Sequence, residues 1–344
     1  MNSENIPSSI VDNKQIKALM SWNTQKTKHV WNTSDFLDVL STHFLICTEK
    51  IAENGEDCGL ESYNQIAGLI GVFDGCGGLG SKICPAADNK TEAYLASRTV
   101  GNAVKLWFDY CCDNQRWELN LLECIILKSL ECCKKHSQDS AYTVKGSLIK
   151  PYPSTMALVV TFMSQGKLLT THIWAGDSRS FFLDMNGLAQ ISKDDINGGD
   201  ALENITQDSA LTNIISLGGE FIIHNKTIEL HQPTVIIVST DGCFGYVSSP
   251  MEFEYILLSS LFISKNVDEW QRNLQDTFSS LSGDDQTIAI EAIGFETFFS
   301  MKEYYSCRYR YIEKVCHFGG EEIDSSVIQV LWNEYKQNYY RFTE

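Results

Sequence analysis

Residues 156–191 read MALVVTFMSQGKLLTTHIWAGDSRSFFLDMNGLAQI. Two apolar runs, Met156 to Met163 and Leu168 to Trp174, meet across Ser164-Gln165-Gly166-Lys167, a connection of hairpin length. Two shorter runs, Ser180 to Asp184 and Leu188 to Ile191, meet across Met185-Asn186-Gly187, and Asn-Gly supplies the positive φ that tight hairpins need. Consecutive hairpins make neighbouring strands antiparallel, so this stretch favours antiparallel sheets over a doubly wound parallel one.

Outward from these hairpins, further strands are expected at His43 to Cys47 (HFLIC), Ile66 to Phe73 (IAGLIGVF), Thr234 to Thr240 (TVIIVST) and Gln286 to Ile293 (QTIAIEAI). Apolar residues recurring every three or four positions predict helices over Thr91 to Cys112 and Glu118 to His136, before the break at Pro151 and Pro153. Two more are expected over Met251 to Ile263 and Val267 to Leu281, and an amphipathic one over Ser326 to Arg341. The first forty residues carry two weak helical patterns, and Ser192 to Leu230 is less periodic, punctuated by Gly198-Gly199 and Gly218-Gly219. The expected class is α+β, antiparallel sheets flanked by helices. The expected division is an N-terminal segment (1–40), a main domain (41–296) and a helical C-terminal extension (297–344). Trp332, Tyr335, Tyr339 and Tyr340 in that extension either pack on their own domain or form a partner interface.

The chain has 344 residues, 27 basic and 44 acidic, for a net charge of −17, and 43% are hydrophobic, enough for a full core. Such acidity argues against nucleic acid and against anionic membrane surfaces as partners. No run reaches the ~18–20 apolar residues of a membrane helix, and the N-terminus lacks the order of a secretory signal. The 12 cysteines include the adjacent pairs Cys111-Cys112 and Cys132-Cys133 but no C-x-x-C. They read as free thiols rather than a disulfide or zinc framework, so a reduced, cytoplasmic protein is expected.

Three strands far apart in sequence meet a carboxylate at one end: Asp74 after Phe73, Asp241 after Thr240, and Asp284 before Gln286. Glu56 and Asp57 follow the His43 to Cys47 run. One such residue is ordinarily a solvated turn. Several converging would repel one another and resist burial without cations between them. All-oxygen donors suit Mg²⁺ or Mn²⁺ better than zinc or copper. Two such ions sharing a carboxylate acidify a water and neutralise phosphoryl oxygens, which is the chemistry of metal-assisted phosphoester hydrolysis.

At this point the sequence resembles the metal-dependent serine/threonine protein phosphatases of type 2C, the PPM family. The matching stretches are Glu56-Asp57; Val72-Phe73-Asp74-Gly75-Cys76-Gly77-Gly78; Ser154-Thr155; Ala175-Gly176-Asp177-Ser178-Arg179; Ser239-Thr240-Asp241-Gly242; and Asp284-Asp285-Gln286-Thr287. They come in the family's order over about residues 44–294. The resemblance implies a sandwich of two antiparallel sheets with helices outside and a binuclear Mn²⁺/Mg²⁺ centre at one end. It implies that Asp74 bridges both ions with the Gly75 carbonyl as a further ligand. Asp241 and Asp284 would complete one ion, and Glu56 and Asp57 would hold the other. Asp177 matches the position of a third, weaker ion. The implied substrate is a phosphorylated protein, with a Ser/Thr kinase opposing it.

Three positions depart from the family pattern. Cys76 stands where the family usually carries a His thought to protonate the leaving alkoxide. Ala52 stands at the phosphate-binding Arg, which leaves Lys50 as a substitute without the bidentate fork. Gly245 replaces an Asp of the third-ion site. A non-catalytic, phosphoprotein-binding regulator is therefore the rival to an active enzyme. Gly75-x-Gly77-x-x-Gly80 also fits a dinucleotide fingerprint, but Asp74 would repel a pyrophosphate and the second acidic strand that fold requires is missing. His172, Arg179, Ser154 and Thr155 read as structural residues.

Overall fold

The computed structural model describes residues 28–31, 39–137, 150–206, 210–316 and 325–343. The strands run β1 (Lys28–Trp31), β2 (Val39–Thr48), β3 (Cys58–Tyr63), β4 (Ala67–Phe73) and the short pair β5 (Ile83–Cys84) and β6 (Lys90–Thr91). Helices α1 (Glu92–Asn114) and α2 (Leu119–Ser137) follow, then β7 (Met156–Ser164), β8 (Lys167–Ala175), β9 (Arg179–Asp184) and β10 (Gly187–Gln190). Next come α3 (Glu203–Thr206), β11 (His224–Glu229), β12 (Thr234–Ser239), α4 (Asp241–Phe244), α5 (Pro250–Ile263) and α6 (Val267–Leu281). The chain closes with β13 (Gln286–Ile293), α7 (Phe298–Cys316) and α8 (Ser325–Tyr339).

The strands form a six-stranded sheet, ordered β1-β2-β13-β12-β9-β10, and a five-stranded sheet, ordered β11-β8-β7-β4-β3. Every pairing in both is antiparallel. The hairpins of residues 156–191 are present, but they serve different sheets: β7 and β8 pair in one, β9 and β10 in the other.

Side-chain alternation along β12 explains the layering. Ile236 and Val238 join Ile70, Val72, Ala157 and Val159 in the core between the sheets. Val235 and Ile237 point the other way, into a core shared with α5, α6, α7 and α8. The outer face of the five-stranded sheet packs Leu69, Phe73, Leu158 and Val160 against α1 and α2. Both faces of each sheet are covered, so the central strands read as continuous apolar runs rather than alternating ones. Helix starts are capped as their sequences suggest. Thr91 Oγ1 accepts from Tyr94 N (3.0 Å), Ser249 Oγ from Glu252 N (3.2 Å) and Asn266 Oδ1 from Glu269 N (2.9 Å).

Several expectations need correction. Within the first forty residues, where helical patterns were expected, 28–31 form a strand on the edge of the larger sheet; 1–27 and 32–38 lie outside the described residues. Glu56 and Asp57 do not simply trail β2 but immediately precede β3, a strand the apolar pattern does not signal. The span 192–230 ends in β11, a polar edge strand. The C-terminal region contains two helices, α7 as well as the expected amphipathic one.

That C-terminal region packs on the sandwich. Trp332, Tyr335 and Tyr339 are buried in the outer core of the six-stranded sheet. Glu254 of α5, fully buried, receives Arg308 of α7 through Nε (2.5 Å) and Nη2 (2.8 Å), Leu188 N of β10 (3.1 Å) and the Tyr335 hydroxyl of α8. Gly187 fits beneath Arg308: its φ is +102°, and a Cβ there would stand 2.2 Å from the guanidinium. All 12 cysteines are free thiols. Among the described residues no helix is long and apolar enough to cross a membrane.

Candidate active site

The end of β4 is where the acidic residues gather. The Asp74 carbonyl accepts from Thr155 N and from Ser154 Oγ, each at 2.8 Å, which fixes the backbone at the strand's end. Gly75 N donates to Glu56 O (3.2 Å), and a Cβ on Gly75 would lie 2.4 Å from Ala93 O and 2.8 Å from Glu56 O. Only glycine allows the chain to pass between α1 and the Glu56 loop at this point. Cys76 N then donates to Pro153 O (3.2 Å), and Gly80 N to Cys76 O (2.9 Å), so residues 76–80 form a tight turn and not a helix start.

Asp241 opens the one-turn helix α4 directly after β12 and is exposed. A Cβ on the next residue, Gly242, would fall 1.7 Å from Asp285 O, so the Asp-Gly pair brings β12 and the start of β13 into contact. Asp284, also exposed, accepts from Asp285 N (2.9 Å). The Asp285 side chain reaches across to the loop before β3, accepting from Lys50 N (2.8 Å) and Glu56 N (2.6 Å). Asp57 Oδ2 accepts from Thr240 Oγ1 (2.8 Å), and that same hydroxyl takes Thr287 N (3.0 Å). Asp177 lies in the turn between β8 and β9. Gly176 N beside it donates to Asp195 (3.0 Å), and Arg179 is bound by Asp194 through Nε and Nη2 (2.6 Å at closest).

Backbone and side-chain contacts place these segments side by side, Gly75 N on Glu56 O joining Asp74 to the Glu56–Asp57 pair and Thr240 joining Asp57 to Asp241. Burial raises the Asp74 carboxyl well above the ordinary range, and Asp57, Asp241 and Asp177 raise it further; a hydrogen bond to Asp57 adds to the effect. Asp57 is raised by burial, then by Asp241 and Asp285, against the Thr240 hydroxyl. Asp177 is raised by burial, Asp241 and Asp194, with Arg179 opposing. Glu56 is raised by burial, Asp285 and Asp284, with Thr91 and Arg98 opposing. Cys76 is raised by burial, then by Asp74, Asp177 and Asp241. The structure thus gathers Asp57, Asp74, Asp177, Asp241 and the Cys76 thiol into one acidic cluster, with Glu56, Asp284 and Asp285 on its flank. Carboxyl groups that raise one another in this way are eased by a proton or a cation between them.

The donor set fits hard divalent cations by its chemistry: carboxylates, no imidazole, and a glycine where a carbonyl must come close. The placement is pairwise. Among the described residues no three Asp, Glu, His or Cys side chains close into a ligand shell as they stand. Glu56 in particular is turned toward α1, taking the Thr91 hydroxyl (2.5 Å) and lying over Gly77, where a Cβ would meet its Oε2 at 2.1 Å.

Lys50 is exposed, and its backbone rather than its side chain is held, by Asp285. A second cation, which sequence reasoning does not single out, stands nearer the Glu56 side. Arg98 of α1 lies on the Tyr94 ring (3.5 Å to its centroid) and 3.6 Å from Glu49. Thr240 and Asp285 lie in matched stretches without an assigned role, and Thr91 lies outside them; all three are additions to the site. They act through contacts between segments remote in sequence, for which spacing gives no signal.

No family model matches the chain, and no curated protein matches it. Solved structures do. A serine/threonine phosphatase from S. agalactiae superposes with a TM-score of 0.51 at 16% identity, over 73% of this chain and 98% of that one. The serine/threonine phosphatase of Staphylococcus aureus superposes with a TM-score of 0.53 at 16% identity, over 79% of this chain and 99% of that one. A bacterial serine phosphatase gives 0.52 at 16% identity, over 73% and 96%. The chain has the fold of these phosphatases: two antiparallel sheets between layers of helices.

Proposed function

We propose that this chain, built on the type 2C phosphatase fold, hydrolyses phosphoserine or phosphothreonine on a protein substrate with a pair of divalent cations. The observation that carries this reading is the gathering of Asp57, Asp74 and Asp241 at three strand ends, with Thr240 holding Asp57 beside Asp241 and Gly75 holding Asp74 against the Glu56 backbone. Asp74 would serve both Mn²⁺ or Mg²⁺ ions with the Gly75 carbonyl as a further ligand, Asp241 and Asp284 would hold one of them, and Glu56 and Asp57 the other. Asp177 would favour a third. Such ions, when bound, neutralise phosphoryl charge and make water a nucleophile at neutral pH.

The chain's own residues orient and protonate. Thr240 holds the Asp57 carboxylate in place, and Asp285 clamps the Glu56 loop against β13. Ser154 and Thr155 fix the Asp74 backbone. The Cys76 thiol, two residues from Asp74 and kept protonated by burial and by Asp74, Asp177 and Asp241, would supply the proton for a departing serine or threonine alkoxide. Lys50 and Arg98 are the cations available to a phosphate on the Glu56 side. Asp241 and Asp284 are exposed, so the acidic cluster is within reach of a substrate as large as a phosphoprotein.

One observation favours a second reading, a phosphoprotein-binding regulator with little turnover: Glu56 is committed to Thr91, and Ala52 offers no guanidinium. Hydrolysis of an aryl phosphate by the purified full chain, with and without Mn²⁺, separates the two. Metal-dependent turnover that Asp74→Asn abolishes supports the enzyme. Tight binding of a phosphopeptide without turnover supports the regulator.

A further inference from the structure

Tyr246 stands five residues after Asp241 and is 44% exposed, while Phe244 and Val247 around it are buried. Its backbone is held on both sides. Gly245 N donates to Asp241 O at 2.6 Å, closing α4, and Val247 joins the outer core of the six-stranded sheet. The ring reaches the segment that leads into β13: a Cβ on Gly283 would lie 3.6 Å from Tyr246 Cε1 and 4.0 Å from its hydroxyl oxygen. Gly283 immediately precedes Asp284, and this segment is fixed as well, Ser282 N donating to Phe278 O (2.9 Å) and Asp284 N to Ser282 Oγ (3.1 Å). One aromatic ring thus spans the two segments that deliver Asp241 and Asp284, with part of its surface open to solvent.

A single exposed ring is ordinary on a protein surface, so its place beside the acidic cluster is what gives it meaning. Lys50 and Arg98, the cations available to a phosphate, belong to the Glu56 side. Residues 241–249 and 281–285 contain no Lys, Arg or His. With Asp241 and Asp284 given to ions, this side offers a substrate the carbon surface of Tyr246 and of exposed Leu281 rather than a charge. We propose that Tyr246 is a specificity-determining residue, its ring packing on an apolar or aromatic side chain adjacent to the phosphorylated residue of a protein substrate. The inference rests on the phosphatase reading for the place of the phosphate and adds the chemistry of the flanking residue. An aromatic side chain gains most, because ring pairs are favourable beyond the area they bury and the Tyr246 ring is already positioned. An acidic one would be set beside Asp241 and Asp284.

Calorimetry on the full chain in Mn²⁺ tests this with phosphonate peptides, in which a methylene replaces the ester oxygen of phosphoserine, carrying Phe or Ala on either side of that residue. The parent is expected to bind a Phe peptide about tenfold more tightly than the Ala peptide. Tyr246→Ala should bind the two alike, through a loss on the Phe peptide, and Tyr246→Phe, which keeps the ring, should retain the preference. Circular dichroism checks that both variants are folded, as substitution at an exposed position allows. Equal binding of the Phe and Ala peptides by the parent, or a preference that survives in Tyr246→Ala, overturns the proposal. A preference lost in Tyr246→Phe as well overturns the packing role and assigns the effect to the hydroxyl. Failure of the parent to bind any of the phosphonates removes the phosphatase reading and this inference with it, whereas binding without preference removes this inference alone.

Discussion

The carboxylate of Asp285 accepts the backbone N–H of Glu56 at 2.6 Å, across 229 positions of chain. Its other oxygen takes Lys50 N at 2.8 Å, so one side chain at the start of β13 ties down the whole loop that delivers Glu56 and Asp57. Asp285→Ala should therefore leave the fold intact but cost about 10–100-fold in metal-activated turnover, the usual effect of removing a group that orients ligands. Asp285→Asn, with one acceptor left, should fall between. A Mn²⁺ activation curve for each variant reads this out; equal half-saturation in all three would refute the clamp.

The role of Cys76 is separable by leaving group. An alkoxide needs a proton and an activated aryl oxide does not. Cys76→Ala should therefore slow phosphoserine peptide hydrolysis by about 10²–10⁴-fold while leaving aryl phosphate turnover within a few-fold. Cys76→His should restore or exceed the peptide rate. Parallel losses on both substrates would assign Cys76 to packing.

Glu254 makes a stability prediction. It is fully buried and neutralises Arg308 while holding β10, α5, α7 and α8 together. Glu254→Ala strands the Arg308 charge, and urea denaturation should show a loss of about 3–5 kcal/mol. A change within 1 kcal/mol or so would mean that the C-terminal helices contribute little to the fold.

Much of the fold is legible because the central strands are covered on both faces. TVIIVS at β12 and QTIAIEAI at β13 can scarcely be anything but buried strands. The strands that escape notice lie at sheet edges, where one face or one flank is wet. In β3, Gly59 and Glu61 interrupt the pattern, and Gly59 leaves room for the Leu45 side chain, whose Cδ1 would lie 2.4 Å from a Cβ there. In β11, His224 to Glu229 alternates polar residues over an edge. The acidic residues of the cluster announce themselves by their place at strand ends. The supporting roles of Asp285, Thr240, Thr91 and Arg98 do not, even where the residue lies in a matched stretch, because each works through a contact with a segment far away in sequence.

His172 predicts a pH dependence of stability. It sits fully buried between the sheets, 3.1 Å from Ser180 Oγ, and burial lowers its pKa from 6.5 to about 3, with Lys226 adding to the effect. Between these values the unfolded chain binds a proton that the folded chain does not. This contribution is fully present above pH 6.5 and is lost as pH falls toward 3, at a steepest slope of about 1 kcal/mol per pH unit. Denaturation midpoints of His172→Asn should show a shallower acid slope than the parent. An unchanged slope would place the acid sensitivity elsewhere.

The gathering of Asp57, Asp74 and Asp241 around bound cations is what Mn²⁺ calorimetry on the parent chain and Asp74→Asn, run beside aryl phosphate turnover, puts to the test. Two ions bound by the parent, metal-dependent turnover, and the loss of both in Asp74→Asn are predicted. Turnover indifferent to Mn²⁺, or an Asp74→Asn variant that binds the ions and works as the parent does, would contradict it.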